Sequence, residues 1–306
     1  MGTTELFCDI DDFCKVFIPS WIKSMLPAER RIRNRKFTMS PAEVMTLLIL
    51  FHRSAYRNFK QFYNGYVPVV LNREFPKRVS YNRFTELAQS VLVPLCAYLS
   101  TRRVTSKGIS FVDSTPLRVC HNKRIPRHKG FRRTAQRGKT SMGWFYGFKL
   151  HLIIDDEGSL VSFFVSPGNL DDRKGLKEMA KYIKGKLFGD KGYISQALCE
   201  ELWESGIQLI TNVRRNMKKV TLEEMDRILL RKRSLIETVN DQLKNISQIE
   251  HSRHRSITGF MVNVACALIA YTWQPKKPSL NIRESNIKDM VVVGESNTAY
   301  SMTIAV

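Results

Sequence analysis

An α/β fold with a mixed β-sheet, preceded by an α-helical region, is what this sequence predicts. Three observations carry that expectation. Apolar residues recur at helical spacing through the first hundred positions, they fall into short β-rich runs from Lys107 onward, and the later runs alternate with helical stretches.

Taken in order, Ser40-Pro41-Ala42-Glu43 is a capping box with proline at the first helical position, and it opens the apolar segment Val44–Phe51. Tyr56–Tyr66 mixes Arg57, Lys60 and Gln61 with Phe59, Phe62 and Tyr63; core packing is the better account of these aromatics, a short DNA-facing helix the rival one. Ser80 starts another helix, in which Phe84, Leu87, Ala88, Val91, Leu92 and Leu95 keep helical spacing and Pro94 predicts a kink near the end. Five strands are expected at Ile109–Val119, Phe145–Asp155, Leu160–Ser166, Lys186–Asp190 and Ile207–Val213, with a hairpin turn at Asp156-Glu157-Gly158. Helices are expected at Asp171–Lys184, Ser195–Ser205 and around Leu229–Asn245. The stretch His121–Met142 has Pro126, Gly130 and Gly138 but no periodicity, and reads as a long loop. The expected division is a helical region over 1–106, an α/β region over 107–274 and a flexible polar tail over 275–306.

Composition narrows the function. The 306 residues are 43% hydrophobic and 25% charged, which excludes a disordered chain, a collagen and a small disulfide scaffold. Lys and Arg number 49 against 28 Asp and Glu, a net charge of +21. Such self-repulsion suits a protein that works beside a polyanion, most often nucleic acid. The six cysteines are scattered without C-x2-C pairs, which argues against zinc modules and secreted frameworks and for reduced thiols in a cytosol. The start of the chain lacks a basic n-region, and the longest apolar stretch, Phe260–Trp273, is interrupted by Asn263 and too short to span a bilayer. A cytoplasmic, nucleoid-associated protein without a membrane role is expected.

Three acids stand out. Asp113 interrupts an apolar strand, Asp190 ends the run Leu187-Phe188-Gly189, and Glu237 lies on a helix among Arg231, Lys232 and Arg233. Ordinary salt bridges explain any one of them, yet a carboxylate inside a strand is costly unless paired or metal-bound. Together, two strand-borne aspartates and a helix-borne glutamate can converge at one end of a mixed sheet, where hard oxygen ligands suit Mg²⁺ and a pair of such ions suits a phosphodiester. His121, His128 and His151 fit no metal spacing and are expected at phosphates or the plain surface. Asp155-Asp156 and Asp171-Asp172 have structural explanations, as a hairpin turn and a helix start.

Arg233, Glu237, Asn240 and Lys244 recur on one helical face, beside an apolar stripe of Ile236, Val239, Leu243 and Ile246. One helix can therefore press on the sheet while offering a carboxylate flanked by cations. Ser114–His151 holds ten Lys and Arg and no acid, and the long loop within it, with Lys123, Arg124, Lys129, Arg132, Arg133, Arg137 and Lys139, is expected to track DNA phosphates beside Asp113.

The strings Phe111-Val112-Asp113-Ser114-Thr115 and Gly189-Asp190-Lys191-Gly192-Tyr193, followed by Glu237, resemble the DDE triad of bacterial insertion-sequence transposases, with 76 and 46 residues between the three acids. The glutamate's surroundings are similar to the family signature Tyr-x2-Arg-x3-Glu-x6-Lys: Arg233, Glu237 and Lys244 fit, while Leu230 stands at the tyrosine position. The N-terminal block and Val119-Cys120-His121-Asn122 look most like the nine-eighty-two family of insertion sequences. The resemblance implies an RNase H-like core in which Asp113, Asp190 and Glu237 bind two Mg²⁺ ions, with Mn²⁺ as a substitute. It implies DNA contacts from Arg233, Asn240, Lys244 and Lys191, a substrate of transposon ends and target duplex, and a homodimer or larger complex on DNA. A stand-alone nuclease would share the triad without strand joining, and a non-catalytic DNA-binding descendant would need the charge but not the acids. Sequence reading of the ends falls, on this view, to the helix at Ser80, whose first turn offers Tyr81, Asn82 and Arg83.

Overall fold

Ser40 caps its helix as its sequence predicts: its side chain accepts from Glu43 N–H and the Glu43 carboxylate accepts from Ser40 N–H. That helix belongs to a computed structural model describing residues 2–25, 38–213, 217, 222–250 and 254–280. The remainder of the expected tail, 281–306, lies outside the described residues.

The chain divides into two units, Met1–Arg102 with Leu243–Pro275, and Arg103–Gln242 with Lys276–Val306. The first unit is helical: α1 (Thr3–Met25), α2 (Pro41–Arg53), the short α3 (Phe59–Gln61) and α4 (Val67–Val70) joined through a π-helical turn, α5 (Tyr81–Ser90) and α6 (Leu92–Thr101). Phe62, Tyr63 and Phe84 are buried in a nest of ring contacts, so the aromatics of this stretch are core. The helix at Ser80 breaks at Val91, earlier than the expected kink near its end, because Pro94 has no N–H to return to the carbonyl of Ser90.

The second unit begins with three antiparallel strands. β1 (Ile109–Cys120) pairs with β3 (Gly143–Asp155), whose outer edge is shared by β2 (Gln136–Thr140) and β4 (Leu160–Pro167). Helix α7 (Asp172–Met179) leads to β5 (Gly185–Gly189), and α8 (Gln196–Glu204) leads to β6 (Ile207–Thr211); β5 is parallel to β1, and β6 to β5. The order β4-β3-β1-β5-β6, a meander followed by parallel crossovers, is the RNase H-like arrangement, and the mixed α/β fold class stands. Val112, Ile153 and Leu187 on one sheet face pack with Leu176 and Met179 of α7 and Leu198 and Leu202 of α8. The opposite face includes Lys186, which joins buried Asp226 at 2.8 Å and so ties down α9 (Glu224–Arg231). Helix α10 (Ser234–Asn245) follows at once.

Two expectations need correction. The stretch 121–142 is no bare loop: a 3₁₀ turn (Asn122–Arg127) and strand β2 occupy it, because Phe131, Ala135 and Gly138 are buried and anchor it. The α/β region does not run to residue 274 either. Helix α11 (Ile257–Thr272), apolar on all sides, is buried against α2, α5 and α6 in the first unit.

Candidate active site

The register of two parallel strands brings the aspartates together. Phe111 of β1 pairs with Phe188 of β5, so a step of two residues along each strand places Asp113 and Asp190 side by side on one sheet face. Asp113 lies inside β1, just beyond the residues that pair with β5, and Asp190 lies just past the end of β5. Here β1 has a parallel neighbour on one side and an antiparallel one on the other, and open α/β sheets place ligands at such a switch point. Asp190 is exposed and caps a 3₁₀ turn, its Oδ1 accepting from Gly192 N–H at 2.8 Å.

Glu237 arrives from the first turn of α10, where the helix dipole favours an acid. The face that α10 turns inward carries Ile236 and Val239, both buried, and Asn240, whose Nδ2 donates to Asp113 Oδ2 at 2.9 Å. Arg233, just before the helix, pairs with Glu237 and reaches Asp113 Oδ1 at 3.9 Å. Burial pushes the Asp113 carboxyl up to about 6, Arg233 and the Ser114 N–H oppose that, and the charges of Asp190 and Glu237 add to it. The three acids therefore share one electrostatic neighbourhood.

Among the described residues no three His, Cys, Asp or Glu side chains close into a metal-binding cluster, and Arg233 provides the compensating charge. The donor set nonetheless fits a hard cation: three carboxylates, with the buried Asn240 Oδ1 left without a hydrogen-bond partner beside Asp113.

The other expected positions differ in their settings. Lys244 pairs with Glu250 at 3.7 Å, and Ile246 leaves the apolar stripe, 54% exposed, because α10 ends at Asn245. Lys191 is exposed beside Asp190, and Lys123, Arg124, Lys129, Arg132, Arg133, Arg137 and Lys139 are all exposed. His151 is not at the surface: it is wholly buried, Nε2 lies 2.8 Å from Ser166 Oγ, and burial lowers its pKa to about 4. Asp155 and Asp171 have the structural roles expected, Asp155 accepting from Glu157 and Ser159 N–H in the hairpin and Asp171 capping α7. Sequence reasoning missed Tyr193, a buried hydroxyl without a partner whose pKa burial raises, together with the charges of Asp172, Asp113 and Asp190. Its place in Gly-Asp-Lys-Gly-Tyr was the available signal. Trp144, which with Lys149 lines a cleft reaching Gly192, was missed too.

Comparison with curated protein sequences gives no match. Among solved structures the chain is similar to piggyBac transposase in its synaptic complex with hairpin DNA, at 11% identity and a TM-score of 0.46, over 94% of this chain and 77% of that one. A family model described as the transposase DDE domain matches residues 103–257, which span the whole sheet, all three acids and α10. The chain belongs to the transposase DDE domain family.

Proposed function

We propose that this transposase hydrolyses one DNA strand at each end of an insertion sequence and joins the freed 3′-hydroxyl to target DNA, with Asp113, Asp190 and Glu237 as its catalytic carboxylates. The observation that supports this reading is the shared neighbourhood of the three acids: Asp113 within β1, Asp190 just past β5, and Glu237 in the first turn of α10, with Arg233 reaching both Asp113 and Glu237. The three acids would hold two Mg²⁺ ions, or Mn²⁺, which when bound supply an activated hydroxyl and neutralise charge on the phosphate.

The chain's own groups have definable tasks. Asn240 holds the Asp113 carboxylate in one orientation through Oδ2. Gly192 N–H does the same for Asp190. Arg233 neutralises Asp113 and Glu237 in the protein by itself, and its guanidinium, at the edge of the same site, would also serve a DNA phosphate. Lys191 and the exposed cations of residues 121–142 bind backbone phosphates without reading sequence. The helical region reads the ends through Asn82 and Arg83, both exposed at the start of α5, and two ends require two copies of the chain.

Incubation of the full chain with DNA carrying the element's termini, a target duplex and Mg²⁺ tests the reading. Nicks at the termini followed by joined products are expected. Nicks without joining would leave the stand-alone nuclease, and binding with neither product would leave the non-catalytic descendant.

A further inference from the structure

We propose that the cleft where β2 meets the loop between β4 and α7 binds an unpaired nucleobase of the DNA, stacked on Trp144. The proposal rests on the transposase reading and names the form of DNA that the core takes beside its carboxylates.

The cleft follows from the shared outer edge of β3. Residues Gly143–Gly147 pair with β2, and from Phe148 onward the partner is β4. At the changeover lies an opening of about 430 Å³ whose lining includes Arg137, Lys139, Trp144 and Gly192, together with Asp171 and Asp172, which are paired with Arg173 and Lys149. Its walls are fixed by close backbone packing: a Cβ on Gly138 would stand 2.1 Å from the Gly168 carbonyl oxygen. Lys149 is fixed as well, its ammonium donating to Leu170 O at 2.9 Å and Asp172 Oδ1 at 3.0 Å.

Trp144 is 59% exposed, and the core gains little from it. Single exposed aromatics are common, so exposure alone would carry nothing. Its setting is what discriminates. Lys139 Nζ stands 5.8 Å from the indole centroid, and neither Lys139 nor Arg137 has a carboxylate partner among the described residues. An aromatic face flanked by cations is the makeup of a single-strand platform, in which bases stack and the cations take the phosphates. A duplex offers such a face nothing, because base faces are covered by their neighbours and only edges are open in the grooves. The cleft also reaches the turn that Asp190 caps: Gly192 lines it and donates its N–H to Asp190. The stacked base therefore belongs to a nucleotide next to the bond that is cut, where unpairing frees the strand to bend toward the carboxylates.

The test uses the full chain without divalent ions, titrated with oligothymidylate, with a perfect duplex of equal length, and with that duplex mismatched at the cut site. Trp144→Ala should lose roughly tenfold in affinity for the single strand and the mismatched duplex while keeping perfect-duplex affinity within about twofold. Trp144→Phe should retain most of the binding yet lose the quenching of tryptophan emission that stacked thymine causes, which separates stacking from misfolding. Equal binding by all three proteins, or an equal loss on the perfect duplex, would overturn the proposal. Asp190→Asn keeps the two readings apart. Should it cut no DNA while Trp144→Ala binds single strands normally, the stacking site is wrong and the transposase stands; should it still cut, the carboxylate assignment is wrong whatever the binding shows.

Discussion

Asp113 answers to two opposed demands. Its side chain is only 22% exposed, and burial with two like charges nearby raises its pKa to about 6, so its ionised form is held at a cost. Asp113→Asn, Asp190→Asn and Glu237→Gln should each cut nicking below about one per cent of the unaltered rate while DNA affinity holds or rises, since a neutral isostere lacks the anionic charge that would hold a cation and no longer repels phosphate. Retained nicking in any one variant would remove that residue from the proposed set. Asp113→Asn should also raise the melting temperature at neutral pH without divalent ions, by about 2–4 °C per kcal/mol recovered, because it deletes the buried charge yet keeps an acceptor for Asn240. A fall measured by calorimetry would mean that the Arg233 attraction outweighs the burial. His52 sits at the other extreme. It is fully buried in α2 with Nδ1 2.6 Å from Ser247 O, and burial lowers its pKa to about 4. Neutral in the fold and protonated near pH 6.5 when unfolded, it contributes stability that is complete above about pH 6.5 and is lost as pH falls toward 4, at most about 3 kcal/mol. His52→Asn should flatten urea-derived stability across that window; an unchanged slope would refute the burial argument.

Among the elements, the segment between β1 and β3 shows how charge and packing share a stretch of chain. Phe131, Ala135 and Gly138 anchor it, while Arg132, Arg133 and Arg137 project outward. Replacing those three arginines with alanine should leave the melting temperature within about a degree, since exposed substitutions cost little. It should make the log–log salt dependence of DNA binding shallower by roughly one unit per lost phosphate contact. Fluorescence anisotropy at several salt concentrations measures this, and an unchanged slope would put the segment away from DNA. The first turn of α5 makes a different demand. Arg83 pairs with Glu86 on the exposed surface, and Tyr81 packs against Phe59 and Tyr63, which makes Asn82 the more accessible of the two proposed base-reading groups. Asn82→Ala should lower affinity for terminal DNA about fivefold or more relative to scrambled duplex, the loss of a good bidentate contact. Equal losses on both duplexes would make α5 architectural.

At the scale of the whole molecule, the first unit is assembled from both ends of the sequence. Helix α11 buries Val262, Val264, Leu268, Ile269 and Tyr271, each worth about 1.5–3 kcal/mol when fully buried, in a protein whose net stability is of order 5–15 kcal/mol. A chain stopped after residue 242 should therefore lose the cooperative unfolding of residues 1–102 as well as the missing helix. Circular dichroism melts of the truncated and intact chains measure it; an intact N-terminal transition would show that α11 is dispensable. The same packing makes a fragment beginning at residue 101 a poor probe of end recognition, because it strips α11 of α2, α5 and α6.

What the sequence determined is what local periodicity and chemistry encode: the Ser40 capping box, the five core strands, the α7 and α8 crossovers, and the three acids with the Arg233-Glu237-Asn240 spacing on α10. These follow from side-chain alternation, capping groups and helical pitch, all short-range properties. Tertiary structure decided the rest. The pairing of Phe111 with Phe188 sets Asp113 beside Asp190, and no spacing along a single chain fixes a parallel register. Likewise, α11 joins the N-terminal helices rather than the sheet because an all-round apolar helix reports that it is buried but not against what. His151 looks like a phosphate contact in a basic stretch, yet the β3–β4 pairing places it in the core beside Ser166. Trp144 precedes the strand expected at Phe145–Asp155 and has no pattern of its own, and only the change of partner along β3 opens a cleft beside it.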